Sequence, residues 1–217
     1  MGIIEIINRN EWAIRSHIIT YGNAADTATT EMIRDEIETM WNEPGGIISF
    51  NDELIKISFK ITATCDPYLQ PETVYENDNP INNYFRIETF AKGHISFVDG
   101  LGCNTGYMKL DNLYKGSTTA AHEYGHTLGL KHPADTDYRG KGIPGIMYPR
   151  GTLVDAQYQY NPDAKAGENG GTMNPVYRKV KPEDIAMLKP SRLVMNSATL
   201  IVGDFSSVWH DEEKPMV

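Results

Sequence analysis

What this chain lacks narrows its function before any motif is read. No stretch approaches the roughly 20 consecutive apolar residues that a bilayer-spanning helix needs, so no membrane role is expected. Basic residues are in deficit: 20 Lys and Arg stand against 29 Asp and Glu, for a net charge of -9. A surface of that sign repels phosphate backbones, so nucleic acid is not an expected partner. Cysteine is scarce. Cys65 and Cys103 lie far apart and carry no zinc-finger spacing. Two free thiols, a disulfide made in an oxidising compartment and a thiolate capping a metal all stay open. Met1 to Trp12 has neither the basic start nor the long apolar core of a signal peptide. Export by a route that needs no such signal is favoured over the cytoplasm; a cleaved leader missing from the chain would look the same. Internal repeats and low-complexity linkers are also lacking.

What is there suits one domain. The 217 residues are 40% hydrophobic and 23% charged, ordinary for a globular chain. Ile33, Ile37, Met40 and Trp41 recur at helical spacing, Asp26 can cap the start, and Pro44-Gly45-Gly46 stops it. A helix is expected between Asp26 and Glu43. Ile55, Ile57, Phe59 and Ile61 alternate with polar residues, the period of a half-buried strand over Glu53 to Thr64. Asn51-Asp52 turns that strand back on a short partner, Ile47 to Phe50. Further strands are expected at Ile18 to Tyr21, which is read as the first, and at Tyr84 to Thr89, His94 to Val98 and Tyr107 to Leu110. This order implies an α/β fold with one mixed sheet. From Arg150 to Lys179 the chain is rich in Gly, Asn, Pro and Tyr and reads as a long loop. Pro182 opens a short helix through Leu188, and Leu200 to Val202 is expected to pack on the C-terminal part.

Chemistry concentrates in one segment. Ser117 to Leu130 is expected to be helical, and His122 and His126, four apart, share one face of it. Two imidazoles at that spacing can chelate one Zn²⁺. Glu123 points to the flank, where a carboxylate can act on water without ligating the metal. Gly129 can end the helix in the left-handed conformation, His132 follows three residues on, and Pro133 prevents the helix from resuming. Three neutral imidazoles leave a fourth position for water, which separates a catalytic site from a closed structural one. Five fixed positions, three of them histidine, arise by chance in a chain of this length on the order of once in a hundred thousand.

The run His122 to Pro133, HEYGHTLGLKHP, resembles the zinc signature of the metzincin peptidases, with features of the matrixin and serralysin branches. Gly145-Ile146-Met147-Tyr148-Pro149 is similar to the methionine turn that these enzymes carry beneath the metal, and Met147 takes that role by resemblance. The close match spans about 30 residues, Thr118 to Pro149. It implies a single catalytic domain of metzincin-like α/β fold. The twisted, mixed, five-stranded sheet and active-site helix would fill residues 1–132, and a smaller, irregular lobe 133–217. It also implies His122, His126 and His132 as zinc ligands, Glu123 as general base, and a monomer that cleaves protein or peptide substrates. The edge strand His94 to Asp99 would bind substrate, with His94, Ile95, Ser96 and Phe97 as contacts and Tyr148 as either a further contact or a packed ring. Tyr158 and Tyr160 either line the specificity pocket or are loose surface residues. The cysteine-switch motif and the glycine-rich calcium repeats of some members are absent. Pro149 stands where serralysins and astacins have a tyrosine, so a tyrosine-assisted step is not carried over.

Two other readings remain open: a zinc-bearing binding domain without catalysis, and a peptidase toxin or effector cargo domain. Asp135 and Asp137 suit a turn better than calcium binding, and His17, His94 and His210 have no ligand spacing.

Overall fold

A computed structural model describes residues 1–193 and 196–214, so the last residues of the expected C-terminal lobe lie outside the described ones. The sheet begins earlier than the sequence suggests. Gly2–Asn8 (β1) and Glu11–Tyr21 (β2) form an antiparallel pair, so Ile18 to Tyr21 is only the end of the second strand. Ile47–Phe50 (β3) and Glu53–Cys65 (β4) are antiparallel, turning through Asn51 and Asp52, both at positive φ. β4 runs parallel to β2 from Glu11 to Thr20. Its Ile55, Ile57, Phe59 and Ile61 are buried and the intervening residues are not, as the period of two requires.

Asn82–Glu88 (β5) pairs in parallel with the second half of β2, and Thr105–Lys109 (β7) in parallel with β5. Phe97–Val98 (β6) pairs antiparallel with β7 and stands at one end of the strand order. The strand expected from His94 therefore shrinks to two residues. Lys92–His94 is a 3-10 turn with Gly93 at φ 73° and His94 at φ 56°, neither compatible with a strand.

Ser191–Leu193 (β8) and Asn196–Val202 (β9) complete nine strands among the described residues, rather than five, in one curled, mixed sheet. Ile201 and Val202 pair with Ile3 and Gly2, so the apolar run at Leu200 to Val202 joins the sheet instead of packing on a C-terminal lobe. The apolar residues of β1 supply the edge that recruits it.

Thr27–Asn42 (α1) starts where Asp26 accepts a hydrogen bond from Thr29 N at 2.6 Å. It buries Ile33, Ile37 and Trp41 in a core shared with Ile57, Phe59, Tyr124 and Met147. A short helix, Pro71–Tyr75 (α2), precedes β5. Thr119–Thr127 (α3) carries His122 and His126 and is shorter at both ends than expected. Thr118 sits at φ 60° before it, and Gly129 at φ 88° breaks the chain away after it. Pro182–Ala186 (α4) follows the long irregular segment.

Candidate metal centre

The three histidines meet although they come from different local structures. His122 and His126 project from α3, and His132 returns from the loop after Gly129. His132 Nε2 lies 3.1 Å from His122 Nε2 and 3.0 Å from His126 Nε2. Their candidate ligand atoms fall within 4.8 Å of one another.

Hydrogen bonding decides what those edges present. His122 Nδ1 is 2.7 Å from the Ile146 carbonyl, and His126 Nδ1 is 2.7 Å from the Leu130 carbonyl. A carbonyl only accepts, so both Nδ1 atoms carry the proton and donate it. In a neutral ring Nε2 is then a bare lone pair. Burial opposes the second proton: it holds His122 well below the usual histidine range, takes His126 down to about 4 and lowers His132. One proton on His132 Nε2 could satisfy one facing lone pair but not both. A single cation would satisfy all three nitrogens, so the group could hold a metal ion.

The supporting frame is buried. Gly125, between the two helical histidines, gives Met147 its place: a Cβ there would lie 2.4 Å from Met147 Sδ and 3.1 Å from Trp41 Cζ2. Met147 is 1% exposed and precedes Tyr148 in the turn whose Ile146 carbonyl orients His122. Trp41 Nε1 donates to the Ala121 carbonyl at 3.1 Å. Glu36, from α1, accepts from Thr118 N at 3.3 Å and Ala121 N at 3.2 Å, which fastens the start of α3. Burial pushes the Glu36 carboxyl up, and these backbone donors oppose it.

Glu123 is 6% exposed and lines a cleft of about 440 Å³ together with the three histidines. Burial pushes its carboxyl up to about 8; Arg178, Arg150 and the Val98 backbone N–H pull the other way. A cation at the histidines would add to that downward pull.

Ile95, Ser96 and Phe97 line the same cleft with Val98, whereas His94 and Tyr148 are not among its lining residues. His94 is exposed in its 3-10 turn. The Tyr148 ring packs on Tyr138, centroids 4.7 Å apart, and only its carbonyl reaches toward the site, accepting from Arg178. Tyr158 packs on Tyr177, and neither it nor Tyr160 lines the cleft. Asp135 and Asp137 pair with Lys141 and Arg139. Cys65 and Cys103 are both free and half-buried, and neither lines the cleft.

Sequence reasoning missed Glu36, Gly125, Arg150, Arg178 and Thr119. Only Gly125 carried a signal, as an isolated glycine inside a helical pattern. Glu36, Arg150 and Arg178 matter through contacts that span tens of residues, and Thr119 through its place in the cleft wall. No protein-family model matches the chain, and no curated protein matches it significantly, so the site is read from its own geometry.

Proposed function

We propose that the protein is a zinc-dependent endopeptidase of the metzincin type. The observation that carries this reading is the set of facing histidine nitrogens, oriented by two backbone carbonyls, with a buried carboxylate in the same cleft. Tetrahedral Zn²⁺ with bonds of about 2.0–2.1 Å sets its ligand nitrogens about 3.3–3.4 Å apart. The two spacings of 3.0 and 3.1 Å lie within a few tenths of an ångström of that. An all-imidazole donor set also suits zinc better than calcium or magnesium. Bound there, Zn²⁺ would acidify a water and polarise a carbonyl.

Glu123 would take the proton of the attacking water on a carboxylate oxygen and hand it to the leaving amine. Its desolvation makes it a stronger base than a surface glutamate. β6 offers a backbone edge at the end of the sheet, against which an extended substrate can pair as a further strand. Met147 acts beneath the helix as a packed support that never touches substrate.

The test is Glu123→Gln. It should retain about one zinc per chain and lose at least 10³-fold in cleavage of an unfolded protein. Wild-type activity in that variant would refute the role of Glu123. A zinc-loaded wild type that cleaves nothing in a broad peptide library would favour a binding domain.

A further inference from the structure

Two guanidinium groups line the cleft that holds the histidines. Arg178 is 3% exposed and lines it beside Glu123. Its guanidinium is held by Thr118 Oγ1 at 2.9 Å, the Tyr148 carbonyl at 3.2 Å and the Thr118 carbonyl at 3.3 Å. Those bonds use three of five N–H donors and supply no negative charge. Glu123 and Glu36 attract it only at longer range, outside any direct ion pair. A buried guanidinium hydrogen-bonded by neutral groups alone is costly, even with carboxylates attracting it from a distance.

Two further groups face the same space. Arg150 lines the cleft from its exposed side and is oriented by a hydrogen bond to Asn112 Oδ1 at 3.1 Å. Asn112 in turn donates to the His94 carbonyl and to Ser96 Oγ, each at 3.3 Å, which ties Arg150 to the segment leading into β6. Thr119 is 4% exposed, also lines the cleft, and its buried hydroxyl has no hydrogen-bond partner among the described residues. Two guanidinium groups and an unpartnered hydroxyl donor together match a carboxylate.

We infer that Arg150, Arg178 and Thr119 form a carboxylate subsite, and that the cleft selects peptides with Asp or Glu beside the scissile bond. This deepens the peptidase reading and rests on it for the position of that bond. Glu123, the histidines, Arg150 and Arg178 line one cleft of about 440 Å³, and extended chain advances about 3.3 Å per residue. A carboxylate held in the same cleft as the histidines therefore belongs to a residue within one or two positions of the reacting carbonyl. Arg150 is the adjustable half of the subsite, and Arg178 the fixed half.

The experiment separates binding from cleavage. Zinc-loaded Glu123→Gln protein is titrated with fluorescent peptides that differ only by Glu or Gln at positions flanking the central bond, and anisotropy is read. The Glu peptide should bind at least tenfold more tightly, with the advantage shrinking as salt rises. Adding Arg150→Gln should erase most of that preference, and adding Thr119→Val, which preserves shape, should reduce it several-fold. In the enzyme with Glu123 restored, Arg150→Glu should move the cleavage profile from acidic toward basic residues. Equal binding of the Glu and Gln peptides overturns the subsite, whether or not the protein cleaves. A Glu preference indifferent to both Arg150 and Thr119 overturns it as well. Preserved Glu preference in a protein that hydrolyses nothing leaves the subsite standing and removes the peptidase reading.

Discussion

Gly125→Ala isolates the packing beneath the histidines. The substitution has two opposed effects. Alanine in a helix interior is favoured over glycine by about 1 kcal/mol. Against that, the new Cβ would meet Met147 Sδ at 2.4 Å and Trp41 Cζ2 at 3.1 Å. The first distance is a full ångström inside the 3.4–4 Å of ordinary contact, so the Met147 side chain, 1% exposed, would have to shift within the core. Overpacking of this kind costs about 1–3 kcal/mol. The sulfur contact puts the cost near the upper end, so the net loss is about 2 kcal/mol. For a domain of this size that lowers Tm by about 4–8 °C. The displacement also passes to the Ile146 carbonyl, next to Met147, which holds His122 in its tautomer. Metal affinity should fall by about 10–100-fold, as it does when the partner of a ligating imidazole is disturbed. The assay is thermal unfolding in chelator and in zinc, with a competition measurement of zinc affinity. Met147→Ala combined with Gly125→Ala should cost less than the sum of the two single changes, because removing the sulfur removes the clash. A Gly125→Ala protein as stable as wild type in chelator, or additive costs in the pair, would refute the packing argument.

Gly129→Ala should behave differently, because a Cβ there meets nothing within 4 Å while φ is +88°. Its cost is conformational, about 1–2 kcal/mol, and Met147→Ala should not relieve it; urea unfolding of the single and double variants checks this. The metal-free protein should also show the titration of Glu123. A carboxyl raised in the folded state from 4.5 to about 8 binds more proton when folded than unfolded, so its contribution to stability falls as pH rises between those values. The lowered histidines act in the opposite direction only below their unfolded value of 6.5, and the buried Met1 amine, held below 8.0, opposes Glu123 up to that pH. Comparing wild type with Glu123→Gln cancels these. Between pH 6.5 and about 8 wild type should lose up to about 1.4 kcal/mol per pH unit relative to the variant. Parallel stability curves would sink this assignment.

The legible parts of the molecule were those governed by local periodicity. α1, β3 and β4 fall within a residue or so of where spacing and capping put them, because Asp26, the alternation of Ile55 to Ile61 and the Asn51-Asp52 turn act over a few residues. The meeting of His122, His126 and His132 was legible for the same reason, since helix spacing and a left-handed glycine act over eleven residues. β1 was missed because its apolar residues were weighed only as a possible leader. β9 was misplaced because its partner, at Gly2 and Ile3, lies some two hundred positions away. The strand expected from His94 gave way to Gly93 and His94 at positive φ, a turn that alternation does not reveal. Glu36 and Arg178 were invisible for a similar reason: one lies on the flank of a helix and the other in an irregular segment, and only the closed fold sets both against Thr118.

That convergence on Thr118 explains why a histidine pair on a short helix can be held rigidly. α3 spans only nine residues, too few to be stable alone. Its first turn is fastened by a carboxylate from α1, the residue before it by a guanidinium from near the end of the long loop, and its middle by an indole and a methionine. Each of these groups is desolvated to reach the site, and Glu123 and Arg178 carry ionisable groups into that burial. The same burial that lifts the Glu123 carboxyl and lowers the Arg178 guanidinium makes the cleft unfavourable without a ligand. A cation at the histidines and a carboxylate at the arginines would relieve the two ends of this imbalance separately. Bound together they should stabilise the fold by more than the sum of each alone, because a dication and a carboxylate attract one another across so short a cleft.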